Sequence, residues 1–220
     1  MAQSTALQIA ASAYAQANMD QTLTSFSMSD FPYNVAKDLL NTVIQEMNRM
    51  GRYWFTETSA TLSYSGGVYQ YTYSSIASNL DPKGILRLRK ELVDHKQELV
   101  QVNWRAFQER YRRDAVQTAE PLYWAKFGNQ LELNAIPDQD YTIKVYYLRD
   151  MPLVTSASEN LLCQDTDEDV FREGVYAYLL NRLGRPDWEK AYQIFRDKAS
   201  DLLADMRQDV GLARQMPASF

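Results

Sequence analysis

One histidine, His95, and one cysteine, Cys163, are all that 220 residues contain of either type. These two scarcities remove whole classes of chemistry. A lone cysteine excludes an intrachain disulfide framework and a multi-cysteine zinc site, and a lone histidine excludes a histidine-rich metal site. Any Ser-His-Asp or Cys-His pair would have to use His95, which lies in the charged run 91–98 and reads as part of an exposed turn. Cys163 has no basic neighbour to lower its thiol pKa, so it reads as a small hydrophobe near a loop. No glycine-rich phosphate loop occurs, because Ser65-Gly66-Gly67 lacks the lysine and the strand-to-helix context. There is no run of about 18 apolar residues to span a membrane. The alanine-rich start, Ala6 to Ala17, follows no Lys or Arg and is diluted by Gln8 and Gln16, so no secretory signal is expected.

The remaining places to seek chemistry are carboxylates. Asp165, Asp167, Glu168 and Asp169 have the oxygens for Mg²⁺ or Ca²⁺, but not the sixth-position glycine or closing glutamate of a calcium loop. They read as a helix N-terminus gathering negative charge where the helix dipole is positive. Asp138 and Asp140 read as turn residues. No catalytic residue, metal or cofactor is expected.

Aromatics are plentiful: 15 tyrosines, eight phenylalanines and four tryptophans. They suit β-structure and also protein interfaces, where aromatic anchors concentrate binding energy. The hydrophobic spacing predicts helices over 4–19, over 30–51 (Ser29 or Asp30 as cap, Gly51 as stop), and over two closing stretches. Of the closing pair, one is capped by Asp167 and ends at Gly184; the other opens at Pro186 and loses its period after residue 207. Between them the chain alternates as strands do: Tyr53 to Tyr64, a return carrying Tyr69, Tyr71 and Tyr73, then Ile85 to Arg89 with a solvated arginine face. Three consecutive strands follow between 120 and 153, with Gly128-Asn129 and Pro137 to Asp140 as turns. A short helix is expected over 103–113. The predicted class is α+β, with helices from both chain ends forming a bundle around an antiparallel β-rich region. The predicted organisation is an N-terminal helix and linker (1–29), a main domain (30–207) and a C-terminal tail (208–220). The main domain divides into a helical bundle, 30–51 with 167–207, and a β-rich insertion, 53–150.

Charge is uneven. The formal net charge is -5, yet residues 83–113 carry nine Lys or Arg against four Asp or Glu. With Trp104, Phe107 and Tyr111 interleaved, that segment fits either a nucleic-acid surface or a subunit contact in which one copy's basic side meets its neighbour's acidic side. Trp104, Phe107, Arg110, Tyr111, Arg112 and Arg113, with Met216 and Phe220 in the tail, are the candidate interface residues.

The ordered set of local motifs is familiar. A helix runs into an aromatic strand from Glu46 to Phe55, and a Leu-Val-x-Val-x-Trp-x-x-Phe element covers Leu99 to Phe107. Pro-x-Tyr-Trp, a Gly-Asn turn, Leu-x-Leu, Ile-Pro-Asp and Tyr-Thr-Ile-Lys-Val-Tyr-Tyr follow from Pro121 to Tyr147. Met-Pro-Leu-Val (Met151 to Val154) and two closing helices complete it. Over roughly residues 30 to 207 this resembles the head-to-tail adaptor, or upper tail tubular, proteins of short-tailed bacteriophages. The resemblance implies a structural virion protein and no enzyme, assembled in the host cytoplasm. It implies a homo-oligomeric ring, usually of twelve copies, seated on the portal protein and carrying the tail nozzle or fibre proteins. DNA would pass through its channel without specific binding, and no membrane is involved. A nucleic-acid-associated protein using 83–113 is the alternative.

Overall fold

The computed structural model describes residues 4–78, 80, 84–92, 96–111, 118–163 and 167–215. The chain is α+β and divides into two compact units, Met1–Thr56 with Asp150–Phe220, and Glu57–Arg149.

The first unit is helical. Helix α1 (Ala6–Gln16) begins at a capping box that the sequence pattern had not singled out: the Thr5 hydroxyl accepts from the Gln8 amide, and the Gln8 side chain accepts from the Thr5 amide. Ala6, Ala10 and Ala13 give it a smooth buried face, so it packs closely on its neighbours. Helix α2 (Ala36–Met50) starts later than its sequence signals, because Tyr33–Val35 forms a 3₁₀ turn first. Its stripe Leu39, Leu40, Val43, Ile44 and Met47 is buried. Helix α5 (Glu168–Arg182) places Gly174 against α2; a Cβ there would lie 2.7 Å from Val43 Cγ1. Helix α6 (Trp188–Gln215) buries Ala191, Phe195 and Ala199. It therefore continues as a helix past residue 207, where the apolar period was expected to give way to a tail. The small residues of α1 join the same core as α2, α5 and α6.

Two asparagines join the returning chain to α2. Asn48 is bidentate to Met151, donating to its carbonyl at 3.0 Å and accepting from its amide at 2.9 Å. Asn41, two turns earlier, does the same for Val154 at 3.1 and 2.8 Å. A side-chain amide has the donor and acceptor of a peptide group, so these two act as strand partners for an extended segment lying on a helix. Replacing Asn48 by Ala strands one buried amide and one carbonyl. The expected loss is about 2 kcal/mol, read as a lowered urea midpoint; Asn48→Asp should be no better, because a carboxylate cannot donate.

The loop before α5 holds the start of α1. Glu159 accepts from the Thr155 amide at 3.0 Å, the Ser156 amide at 3.1 Å and the Thr155 hydroxyl. The loop carbonyls of Glu159 and Ala157 then accept from the Ala6 and Leu7 amides. Hydrogen bonds from Thr155 hold the Glu159 carboxyl below its ordinary value of 4.5. Its contribution is therefore complete above that value and is lost as pH falls through the lowered one. Hydrogen-exchange protection of Ala6 and Leu7 should fall on acidification below 4.5, and Glu159→Gln should remove that dependence.

The second unit is a seven-stranded sheet in the order β1-β9-β3-β4-β6-β7-β2. The strands are β1 (Glu57–Tyr64), β2 (Gln70–Thr72), β3 (Ile85–Glu91), β4 (Lys96–Gln101), β6 (Tyr123–Phe127), β7 (Gln130–Asn134) and β9 (Tyr141–Leu148). Two-residue strands β5 (Thr118–Ala119) and β8 (Ile136–Pro137) pair separately. All neighbours in the large sheet are antiparallel except β4 and β6. Strands β1 and β2, at opposite ends of the order, are adjacent in sequence, and the Tyr64 and Tyr71 rings meet at 4.2 Å. The sheet thus curls until its edges approach, enclosing Leu62, Leu88, Leu99, Trp124, Leu131, Ile143 and Val145.

Two pairings differ from expectation. Ser65-Gly66-Gly67 does not make a hairpin, since β2 pairs with β7 and the short helix α3 (Tyr73–Ile76) begins at Tyr73. Nor do β6, β7 and β9 form a continuous meander; β9 leaves β7 and inserts between β1 and β3.

Candidate assembly surface

Helix α4 (Trp104–Tyr111) carries most of the interface candidates. Asn103 caps it, its side chain accepting from the Arg105 amide at 2.9 Å. Phe107 is 0% exposed, so it fixes the helix to the β unit and is withdrawn from the interface set. Trp104 is half-buried and stacks on Phe107 at 5.9 Å and on Phe127 at 4.1 Å. Phe127 ends β6 just before the turn glycine Gly128, whose φ is +55°, and remains 50% exposed. Sequence reading missed Phe127; its position beside a Gly-Asn hairpin turn was the available signal. Val100 and Leu122 are also exposed, and their backbones are joined where the Val100 amide donates to the Leu122 carbonyl. Arg105 and Arg110 of α4 are exposed as well.

Arg112, Arg113, Met216 and Phe220 lie outside the described residues, and for Tyr111 only its place at the end of α4 is described. His95 and Asp165 also lie outside them.

The basic segment is less cationic in space than in sequence. Arg87 pairs with Glu98 at 3.2 Å, Arg89 with Glu91 at 2.8 Å, and Arg105 with Glu109 at 3.1 Å. Arg87 and Arg89 also lie over the Tyr146 ring, at 4.5 and 5.0 Å. Lys90, just beyond the strand predicted over Ile85 to Arg89, is 0% exposed. Alternation turns Leu88 and Lys90 inward, away from Arg87 and Arg89, and a register irregularity between Ile85 and Arg87 brings Ile85 to the same inner face. There the Lys90 ammonium meets the Glu120 carboxylate, the Pro121 carbonyl at 3.2 Å and the Tyr141 ring at 5.5 Å. A duplex-binding surface needs cations free to replace counterions, and Arg87, Arg89 and Lys90 are engaged within the chain.

Removing the anion from this arrangement leaves a buried ammonium without its counter-charge. Glu120→Ala should cost about 3 kcal/mol, whereas Lys90→Met, which keeps volume and leaves Glu120 half in solvent, should cost about 1 kcal/mol or less. Chemical denaturation of the two variants checks the order; a larger loss for Lys90→Met would reverse the argument.

The acidic run is likewise spent on packing. Asp167 occupies the N-cap of α5 but makes no capping hydrogen bond, a correction to the capping expectation. Glu168 accepts from the Ser4 amide at 2.7 Å. Lys198 of α6 pairs with Asp169 at 2.5 Å and with Glu173 at 3.6 Å. These contacts tie α1, α5 and α6 together. Among the described residues no three His, Cys, Asp or Glu are placed to hold a metal ion, and no helix is long and apolar enough to cross a membrane.

A family model described as SU10 adaptor protein matches residues 4–219. The match takes in α1 and nearly all of the C-terminal segment, both outside the 30–207 span of the motif resemblance. No curated protein shows a significant match to the chain. With the family matched almost end to end, the chain belongs to the SU10 adaptor family of phage head-to-tail adaptor proteins.

Proposed function

We propose that this chain is the repeating subunit of a neck ring, usually of twelve copies, that attaches to the portal, carries the tail nozzle and extends the channel through which the genome leaves. The family match across residues 4–219 carries this reading. Two physical features support it. The β unit presents a stacked pair of aromatic rings, Trp104 on the half-exposed Phe127. The net charge of -5 suits a conduit that DNA must slide through, because repulsion keeps the duplex from adhering. The chain works by shape and adhesion between copies, not by turnover.

The deciding experiment mixes the purified chain with the portal protein of the same virus and measures the mass and symmetry of the product. A closed ring seated on the portal is the expected result; a chain that stays monomeric beside the portal would overturn the reading. Low-salt retention of duplex DNA by the assembled ring tests the conduit, with weak retention expected.

Residues 208–220 are assigned to docking on the portal or on neighbouring subunits, with Met216 and Phe220 as apolar anchors. Helix α6 runs on to Gln215 and so carries much of this segment toward such a partner. Deleting Gln208 to Phe220 should leave the core thermal transition within a few degrees of the full chain, because the truncation keeps the core residues Ala191, Phe195 and Ala199 of α6. Portal affinity should fall roughly a hundredfold, about 2.7 kcal/mol. Unchanged assembly of the truncated chain would reject the assignment.

A further inference from the structure

The two units differ in charge. Residues of the helical unit number seventeen acidic against eleven basic, and those of the β unit eleven acidic against twelve basic. Between residues 194 and 201 of α6 the charges are sorted by direction. Arg196 reaches Glu46 at 3.9 Å and Lys198 reaches Asp169 and Glu173, so both cations are turned to their own unit. Asp197 and Asp201, one turn apart, stay exposed. Asp197 accepts only from Gln193 at 2.7 Å, and neither has an ion-pair partner among the described residues. One turn before Asp197, Ile194 stands 41% exposed. Lys190, one turn before Ile194, is exposed on the same face, which therefore presents two carboxylates, one ammonium and a branched apolar side chain, a poor solvent face and a good contact face.

The α4 surface is its complement. Trp104 and the half-exposed Phe127 offer an aromatic platform. Arg105 is held only by Glu109 one turn along, and Arg110 has no ion-pair partner among the described residues. An aliphatic knob matches an aromatic platform, and two carboxylates match two guanidiniums, which bind carboxylates as planar forks.

We propose that the outer face of α6, built on Ile194, Asp197 and Asp201, docks on the Trp104, Phe127, Arg105 and Arg110 surface of a second copy of this chain. The two faces are different, so the contact is heterologous and can repeat from copy to copy. This rests on the ring reading above and names the surfaces that meet in it.

Two charge-reversed full-length chains test the contact, Arg105→Glu with Arg110→Glu, and Asp197→Lys with Asp201→Lys. Assembly is followed by native mass spectrometry or sedimentation, with the portal of the same virus present. Each variant alone should need roughly tenfold or more concentration to assemble, since like charges then face each other. An equimolar mixture should recover assembly. In it, every contact joins either two intact faces or two reversed and again opposite ones, and recovery also proves both chains folded. Variants that assemble as the wild type does, or a mixture that does not recover, would overturn the proposal. So would recovery only when all four changes sit in one chain, which would mean the two faces meet within a subunit. Failure of the wild type itself to assemble would instead sink the ring reading.

Discussion

The helical unit depends on two asparagine side chains behaving as backbone. Its core needs residues from both ends of the chain, with 93 residues of β structure between them. Closing so long a loop is entropically costly, and apolar packing alone does not set the height at which the returning chain lands on α2. Asn41 and Asn48 set it. Each binds one residue of the segment Met151 to Val154 by donor and acceptor together, and they lie two helical turns apart, so a shift along α2 would break all four hydrogen bonds. From that fixed point the chain proceeds to the Glu159 loop, which receives α1, and to α5, which packs on α1 and α2.

Local patterns carried the helices well and the strand pairings poorly. The stripes of α2, α5 and α6 are periodic because each helix buries one continuous face. Each was legible at its centre, with boundaries displaced where a 3₁₀ turn or an overhanging helix intervened. The Gly128-Asn129 hairpin was legible because its pairing is local and its geometry is set by the turn. The partners of β2 and β9 were not. Pairing β2 with β7 and β9 with β1 and β3 joins residues far apart in sequence, and nothing in a strand's own alternation states which edge it will meet. The double glycine after β1 was therefore read as the turn of a hairpin. It serves instead to carry the chain from one edge of a curled sheet to the other, with Gly66 donating to Asp140 and Gly67 to the Pro137 carbonyl.

Lys90 shows how a charge can mislead. In an unbroken strand, Arg87 and Arg89 would face solvent with Ile85 on the same side and Lys90 opposite; the irregularity after Ile85 puts Ile85, Leu88 and Lys90 together inside. Lys90 reaches a carboxylate there only because Glu120, at the start of the segment leading into β6, closes over it. The same folding event pairs Arg87, Arg89 and Arg105 with acids a few positions away. Among the described residues of 83–113, Arg87, Arg89, Lys90 and Arg105 are thus paired in space, while Arg110 is not. The interface candidates fared unevenly for a related reason. Helical spacing placed Trp104 and Phe107 together, but which ring faces the core depends on β6, whose Phe127 covers Trp104 from the other side.

What remains exposed is a better guide to adhesion than what is charged. In a ring of copies each heterologous contact is repeated around the circle, and closing the circle makes the last contact intramolecular. A single contact can then be modest, because the assembled collar gains from all of them at once while a stray monomer gains from one. Such a design favours surfaces that do little harm in isolation: a half-exposed phenylalanine on a tryptophan, a lone isoleucine between polar neighbours, arginines and aspartates that keep the free chain hydrated. It disfavours a large greasy patch, which would drive aggregation before the portal is met. The distribution of Phe127, Ile194, Val100 and Leu122 as separate exposed apolar residues on a well-filled pair of cores is what that trade-off predicts.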